Sequence, residues 1–152
     1  MSEIKPKFSS VGTLTITLAG MVSSTAGAGR QSTLVDNATT RYRRIRLFAK
    51  VKSGDVVTAG QLQFWRIRSD KNTAAIRTDN AGADDADRTV YAAVLLHAIE
   101  MRTGEHTHYT DFLLEDPGPE WGIAVTHSSG VNLSTTAADH AITWIGETDE
   151  VV

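Results

Sequence analysis

The 152-residue chain contains no cysteine, which excludes a disulfide framework and any thiolate metal site and fits folding in a reducing cytosol. It has no apolar run approaching the ~20 residues needed to cross a bilayer as a helix, so no membrane partner is expected. The N-terminus also lacks the apolar core of a secretory leader. Lys5 and Lys7 are followed by Thr13-Leu14-Thr15-Ile16-Thr17-Leu18, an alternation rather than a run. No Gly-x-Ser-x-Gly elbow is present to expose a serine nucleophile. Gly27-Ala28-Gly29-Arg30-Gln31-Ser32 carries Gln31 where a phosphate loop needs lysine. Each half of the chain is poor in one sign of charge. Residues 1–77 hold thirteen of the fifteen Lys and Arg but four of the eighteen Asp and Glu, a formal +9; residues 78–152 hold two bases and fourteen acids, −12. Such a split favours halves that pair with each other, or with the opposite halves of neighbouring copies.

What the chain has in abundance is period-two alternation. Leu14, Ile16 and Leu18 share one face of a strand over Gly12–Ala19. Residues 20–40 lose periodicity and read as a long small-residue loop. In Tyr42–Lys52, Ile45, Leu47, Ala49 and Val51 oppose Tyr42, Arg44, Arg46, Phe48 and Lys50. Leu62–Ser69 and Thr107–Glu115 alternate likewise, and Ala74–Thr78 reads as a short strand. Thr89–Met101 reads as a helical turn followed by a strand from about Leu95. Asp116-Pro117-Gly118-Pro119 predicts a type II turn, with Pro117 setting φ and Gly118 accepting a positive φ. Trp121, Ile123 and Val125 then share a face, and His140–Gly146 is the last strand. About eight short antiparallel strands separated by turns predict an all-β, jelly-roll-like sandwich. Residues 11–152 form one domain, long enough to bury roughly 70% of the surface its unfolded form exposes. Residues 1–10 read as an extended N-terminal arm, and Glu147–Val152 as an acidic tail.

No catalytic set emerges, and no cofactor is expected. His106-Thr107-His108 places two imidazoles at i and i+2, which on a strand share a face and could share a metal, with His127 as a third ligand. A cupin motif would need Glu where Phe112 and Leu113 stand, so an exposed strand is the simpler reading. The loop Asp79–Asp87 is rich in carboxylates but lacks EF-hand spacing; a contact for a basic neighbour suits it better. Arg41-Tyr42-Arg43-Arg44-Ile45-Arg46 and Trp65-Arg66-Ile67-Arg68 mix bases with aromatics as nucleic-acid binders do. Alternation splits these arginines between two faces, however, and no nucleic-acid partner is expected. A carbohydrate- or receptor-binding sandwich, the alternative reading, would need Trp65, Trp121 and Trp144 exposed on one face.

The segments Arg77–Asp85, Asp111–Val125 and Ser134–His140 are similar to small structural proteins of tailed bacteriophages, above all in Asp116-Pro117-Gly118-Pro119-Glu120-Trp121-Gly122. The Tyr42-Arg43-Arg44 strand after a Ser/Thr-rich segment fits as well. The resemblance spans most of residues 30–147. It implies a virion component, a capsid decoration or cement protein made in the host cytoplasm and carried on the capsid exterior. It further implies a trimer or dimer bound to the major capsid protein, no enzymatic residues, and an arm that reaches a neighbour. On that reading Lys5, Lys7 and Arg30 are expected to contact the capsid, while Tyr42, Arg44 and Arg46 present one sheet face to an acidic partner.

Overall fold

A computed structural model describes residues 3–71, 77–78, 85–91, 93–104 and 106–151. The described residues form eleven strands: β1 (Ile4–Phe8), β2 (Gly12–Thr13), β3 (Ala28–Gln31), β4 (Val35–Asp36), β5 (Arg44–Lys52), β6 (Gly60–Ser69), β7 (Asp87–Thr89), β8 (Val94–Met101), β9 (Thr107–Glu115), β10 (Glu120–His127) and β11 (Ala141–Val151). They make two antiparallel sheets. One has the order β1-β11-β5-β9, with β2 also on β11; the other has the order β7-β3-β10-β6-β8, with β4 also on β10. The chain is an all-β sandwich. When β1–β2 and β3–β4 are each taken as one broken strand and the short β7 is set aside, eight principal strands remain. They pair first with eighth, second with seventh, third with sixth and fourth with fifth.

Alternation decides what is buried. Ile45, Leu47, Ala49 and Val51 of β5 face inward, and Phe112 and Leu114 of β9 meet them from the neighbouring strand. From the opposite sheet come Leu62 and Phe64 of β6 and Trp121, Ile123 and Val125 of β10. Phe64 and Phe112 cross the sandwich with ring centroids 4.6 Å apart. Trp121 and Trp144 join the two sheets edge to face at 5.5 Å, a geometry that adds to their burial. β10 lies inside its sheet and is buried on both faces, with Leu34 and Ser32 close over Gly122 on the side away from Trp121.

Several elements depart from the sequence reading. The Gly12–Ala19 alternation is real, since Leu14 and Leu18 are buried. Only Gly12–Thr13 is laddered, however, because the segment crosses between sheets: Leu14 N–H donates to Ile142 O, while Thr15 O accepts from Thr33 N–H. The expected 20–40 loop contains β3 and β4. The helical turn expected after Thr89 is not found among the described residues, where Asp87–Thr89 is a strand instead. Most of the expected Ala74–Thr78 strand lies outside the described residues; Arg77 makes an isolated bridge to Ser69. Residues 4–8 are extended, as an arm would be, but they lie along the chain's own C-terminal strand, with Lys5 opposite Glu150 and Phe8 opposite Glu147. The acidic tail is therefore the far end of β11 rather than a loose end.

Candidate partner-binding site

The six expected contact residues are not assembled into one surface, and the five bases among them are all matched within the chain. Lys5 pairs with Glu3 at 3.0 Å and Lys7 with Glu150 at 2.9 Å. Arg46 pairs with Asp111 at 3.2 Å, and Arg44 lies between Glu115 and Glu147 at 3.9 and 3.7 Å. Tyr42 is not on the outer face of the β5 sheet. It precedes the strand and turns inward, edge to face with Trp144 at 5.9 Å and over Gly146. Nine of the eleven ion pairs among the described residues join a base of the first half to an acid of the second. Antiparallel pairing of early with late strands thus neutralises much of the charge split inside one subunit.

Arg30 is the most enclosed of these bases. Its Nε reaches Asp85 at 3.2 Å, its Nη1 reaches Asp87 at 2.8 Å, and its Nη2 donates to Asp85 O at 2.7 Å. Thr17 N–H and Oγ1 each donate to the Asp85 carboxylate at 2.6 Å. Burial pushes the Asp85 carboxyl up, but the Thr17 hydrogen bonds and the Arg30 guanidinium outweigh it and hold the group below its ordinary range. The described end of the acidic loop is therefore occupied by a basic neighbour of the same chain. Its residues 79–84 lie outside the described residues.

The other two candidate chemistries disperse. His106 is exposed while His108 is buried. His127 sits at the end of β10 with Nδ1 3.0 Å from Ser129 Oγ and Nε2 3.1 Å from the Met21 carbonyl oxygen. Among the described residues no three His, Cys, Asp or Glu side chains group in a way that could hold a metal ion. Trp121 is fully buried and Trp144 packs against the core. Trp65 lies on the opposite face of the second sheet, its Nε1 bonded to Thr126 Oγ1 at 2.9 Å. The three tryptophans do not form one platform.

What the structure does build is a groove at one end of the sandwich, about 640 Å³ in volume, between residues 37–44 and the 115–119 turn. Its organiser is Asn37, a residue absent from the sequence reading. Asn37 is buried at 4% exposure. Its Nδ2 donates to Gly118 O at 2.8 Å and Tyr42 O at 3.0 Å, while its Oδ1 accepts from Tyr42 N–H at 2.8 Å and Thr40 Oγ1 at 3.1 Å. The side chain is fully satisfied and locks two distant segments together. Gly118 has φ +77°, as the expected turn requires. Arg41 and Asp116, on either side of the groove, hold φ of +52° and +47°, a left-handed conformation that non-glycine residues rarely adopt. Such backbone clusters where surrounding structure over-determines it.

The groove also holds one base that the cross-half pairing does not neutralise. Among the described residues Arg41 has no carboxylate partner; its Nε donates only to Ala38 O at 3.4 Å. Beside the groove, Arg66 and Arg68 face the same side of β6 as their partners Ile123 and Trp121 face on β10. Arg68 shares Asp116 at 3.0 Å, and its buried Nε makes no hydrogen bond among the described residues. Arg66 has no ion pair there. Burial, then the Arg68 charge, holds its guanidinium below the ordinary value against the pull of Asp116. Two signals pointed here: the Asp-Pro-Gly-Pro turn, which forms one wall, and the Arg41–Arg44 segment, whose Tyr42 and Arg44 are among the expected contacts and line the groove. Comparison with family models, curated proteins and solved structures yields no match.

Proposed function

We propose that this chain is a structural virion protein of a tailed bacteriophage, a decoration protein that binds the outer face of the capsid shell and stabilises it. The observation that carries the reading is where the most specific block of the resemblance lies. Asp116–Gly122 supplies the Arg68 partner, the left-handed turn, the carbonyls that latch Asn37, and the tryptophan at the centre of the core. A block that contributes to both the core and the groove suits a docking module. The pairing of first with eighth through fourth with fifth strand is that of an antiparallel ribbon wrapped on itself, the jelly-roll arrangement.

A cement protein needs surface rather than a reaction centre. Anything that binds only the assembled shell lowers its free energy by mass action. Arg41 in the groove, with no carboxylate partner among the described residues, and Arg66 beside it offer charge complementarity to an acidic shell surface, and such complementarity sets register and on-rate. The β1–β11 ribbon is the second contact, exposed along all five residues of β1. The test is binding of the purified chain to isolated capsid shells, followed by heat challenge of the shells. Stoichiometric uptake with a raised shell melting temperature supports the proposal, and Arg41→Glu should weaken uptake. Particles that lack the chain in stoichiometric amount, and shells that ignore it, would sink the reading.

A further inference from the structure

We infer that the β8–β9 flank of the sandwich is an interface between two copies of this chain, formed by antiparallel pairing of β9 with the β9 of its mate. The inference does not depend on the virion reading, because it rests on the edges of the two sheets. Among the described residues β9 is bonded to β5 alone and β8 to β6 alone, and His97 of β8 meets Thr110 of β9 at 2.7 Å, so both sheets end on the same flank. Natural sheets blunt such edges with lysine, proline, bulges or very short strands. The other edges of this molecule follow that rule: β1 carries Lys5, Pro6 and Lys7, and β7 is three residues long. β8 is interrupted by a register shift opposite Phe64 and Trp65. β9 has none of these devices, and its only formal charges are the carboxylates Asp111 and Glu115. It runs nine residues without proline, glycine, lysine or arginine, and all nine pair with β5 in unbroken register.

The flank is also where exposed apolar side chains collect. Tyr109 is 73% exposed and Leu113 38% on β9, Val94 50% and Leu95 45% on β8, with Phe48 at 39% on the next strand in. A shallow depression of about 360 Å³ beside Tyr109, bordered by Phe48, Lys50 and Ala141, extends this surface. Contiguous apolar surface on a soluble domain marks an interaction site.

The occupant is a second copy because the strand complements itself. In the two-fold register that overlaps all nine residues, Asp111 lies on the axis. Tyr109 then faces Leu113 of the mate on the outer side, and Thr107 faces Glu115 at each end. Aromatic–aliphatic pairs of that kind stabilise adjacent strands, and a two-fold contact uses the same patch on both copies. The single like-charge meeting is Asp111 with its mate, and each carries its own Arg46 at 3.2 Å. The two carboxylates and two guanidinium groups form a neutral cluster across the axis.

The experiment is sedimentation equilibrium of the full chain, with amide hydrogen exchange read across residues 107–115. The expected result is a monomer–dimer equilibrium in which alternate β9 amides slow as the dimer fills. Leu113→Lys and Tyr109→Lys alter exposed positions, so the thermal transition should hold. Each should raise the dimer dissociation constant by about tenfold or more, the cost of burying an unpaired charge. A chain that stays monomeric at every concentration overturns the inference. So does a dimer whose β9 amides exchange no more slowly than the monomer's, or one that is indifferent to both lysine substitutions.

Discussion

Asn37 Nδ2 donates to the Gly118 carbonyl oxygen at 2.8 Å, a bond across 81 residues of sequence. The same buried amide holds both the N–H and the carbonyl of Tyr42, so one side chain sets the shape of the groove. Asn37→Ala leaves these buried backbone groups without partners. Each orphaned group costs about 1–3 kcal/mol, and the substitution should destabilise the chain by roughly 3 kcal/mol, read as a lower urea midpoint. Asn37→Asp keeps the acceptor but sets a buried carboxylate oxygen against the Gly118 and Tyr42 carbonyl oxygens, so it should be no more stable than alanine. Equal stability of all three would show that the latch contributes nothing.

Gly146 tests the inward turn of Tyr42. A Cβ at position 146 would lie 2.5 Å from the Tyr42 ring, closer than any real contact. Gly146→Ala should push the ring out of its edge-to-face contact with Trp144 and cost about 1–3 kcal/mol, the usual range for overpacking. In a Tyr42→Ala background the clash partner is gone and the penalty should shrink. A double-mutant cycle on thermal unfolding reads the difference.

The parts of this fold legible in sequence are those where one face is core and the other solvent. β5 and β9 came out with the faces their alternation dictates, because Ile45, Leu47, Phe112 and Leu114 are simply apolar residues on one side of a pleat. β3 was invisible for the opposite reason. Gly29 sits there because any Cβ would meet Val125 O at 2.1 Å, so close backbone approach selected a residue of poor strand propensity. The groove was half legible: the Asp-Pro-Gly-Pro turn announces its own geometry, whereas Asn37 is one polar residue among many in a Ser/Thr-rich stretch. Its role depends on a partner 81 positions away, which no local pattern encodes. The intrachain partners of the bases chosen for their charge were hidden in the same way. Arg44, Arg46 and Lys7 look available until the late strands bring Glu147, Asp111 and Glu150 beside them.

Those pairs should neutralise charge while adding little stability. Arg46 and Asp111 are both more than half exposed, and exposed pairs are typically worth under about 1 kcal/mol. A double-mutant cycle of Arg46→Ala and Asp111→Ala should give a coupling energy of about 0.5 kcal/mol in low salt, fading as the Debye length falls toward roughly 3 Å at 1 M. A coupling that stayed large in high salt would mean the pair is structural rather than a matched surface charge.

His127 should set a pH limit on stability. Its ring is 1% exposed; burial pushes its pKa below the ordinary value, and the bond to the Met21 carbonyl only partly opposes this. Above about pH 6.5 the ring is neutral in both folded and unfolded chains, and stability does not depend on it. As pH falls below that value the unfolded chain takes up a proton that the folded chain refuses, so stability declines with falling pH until the folded value is reached. His127→Gln removes the titration. Whatever packing the substitution costs at pH 7.5, the gap between its urea midpoint and that of wild type should narrow from about pH 6.5 downward. Parallel curves from pH 7.5 to pH 5 would mean that the buried ring accepts its proton in place, held by Met21 and Ser129.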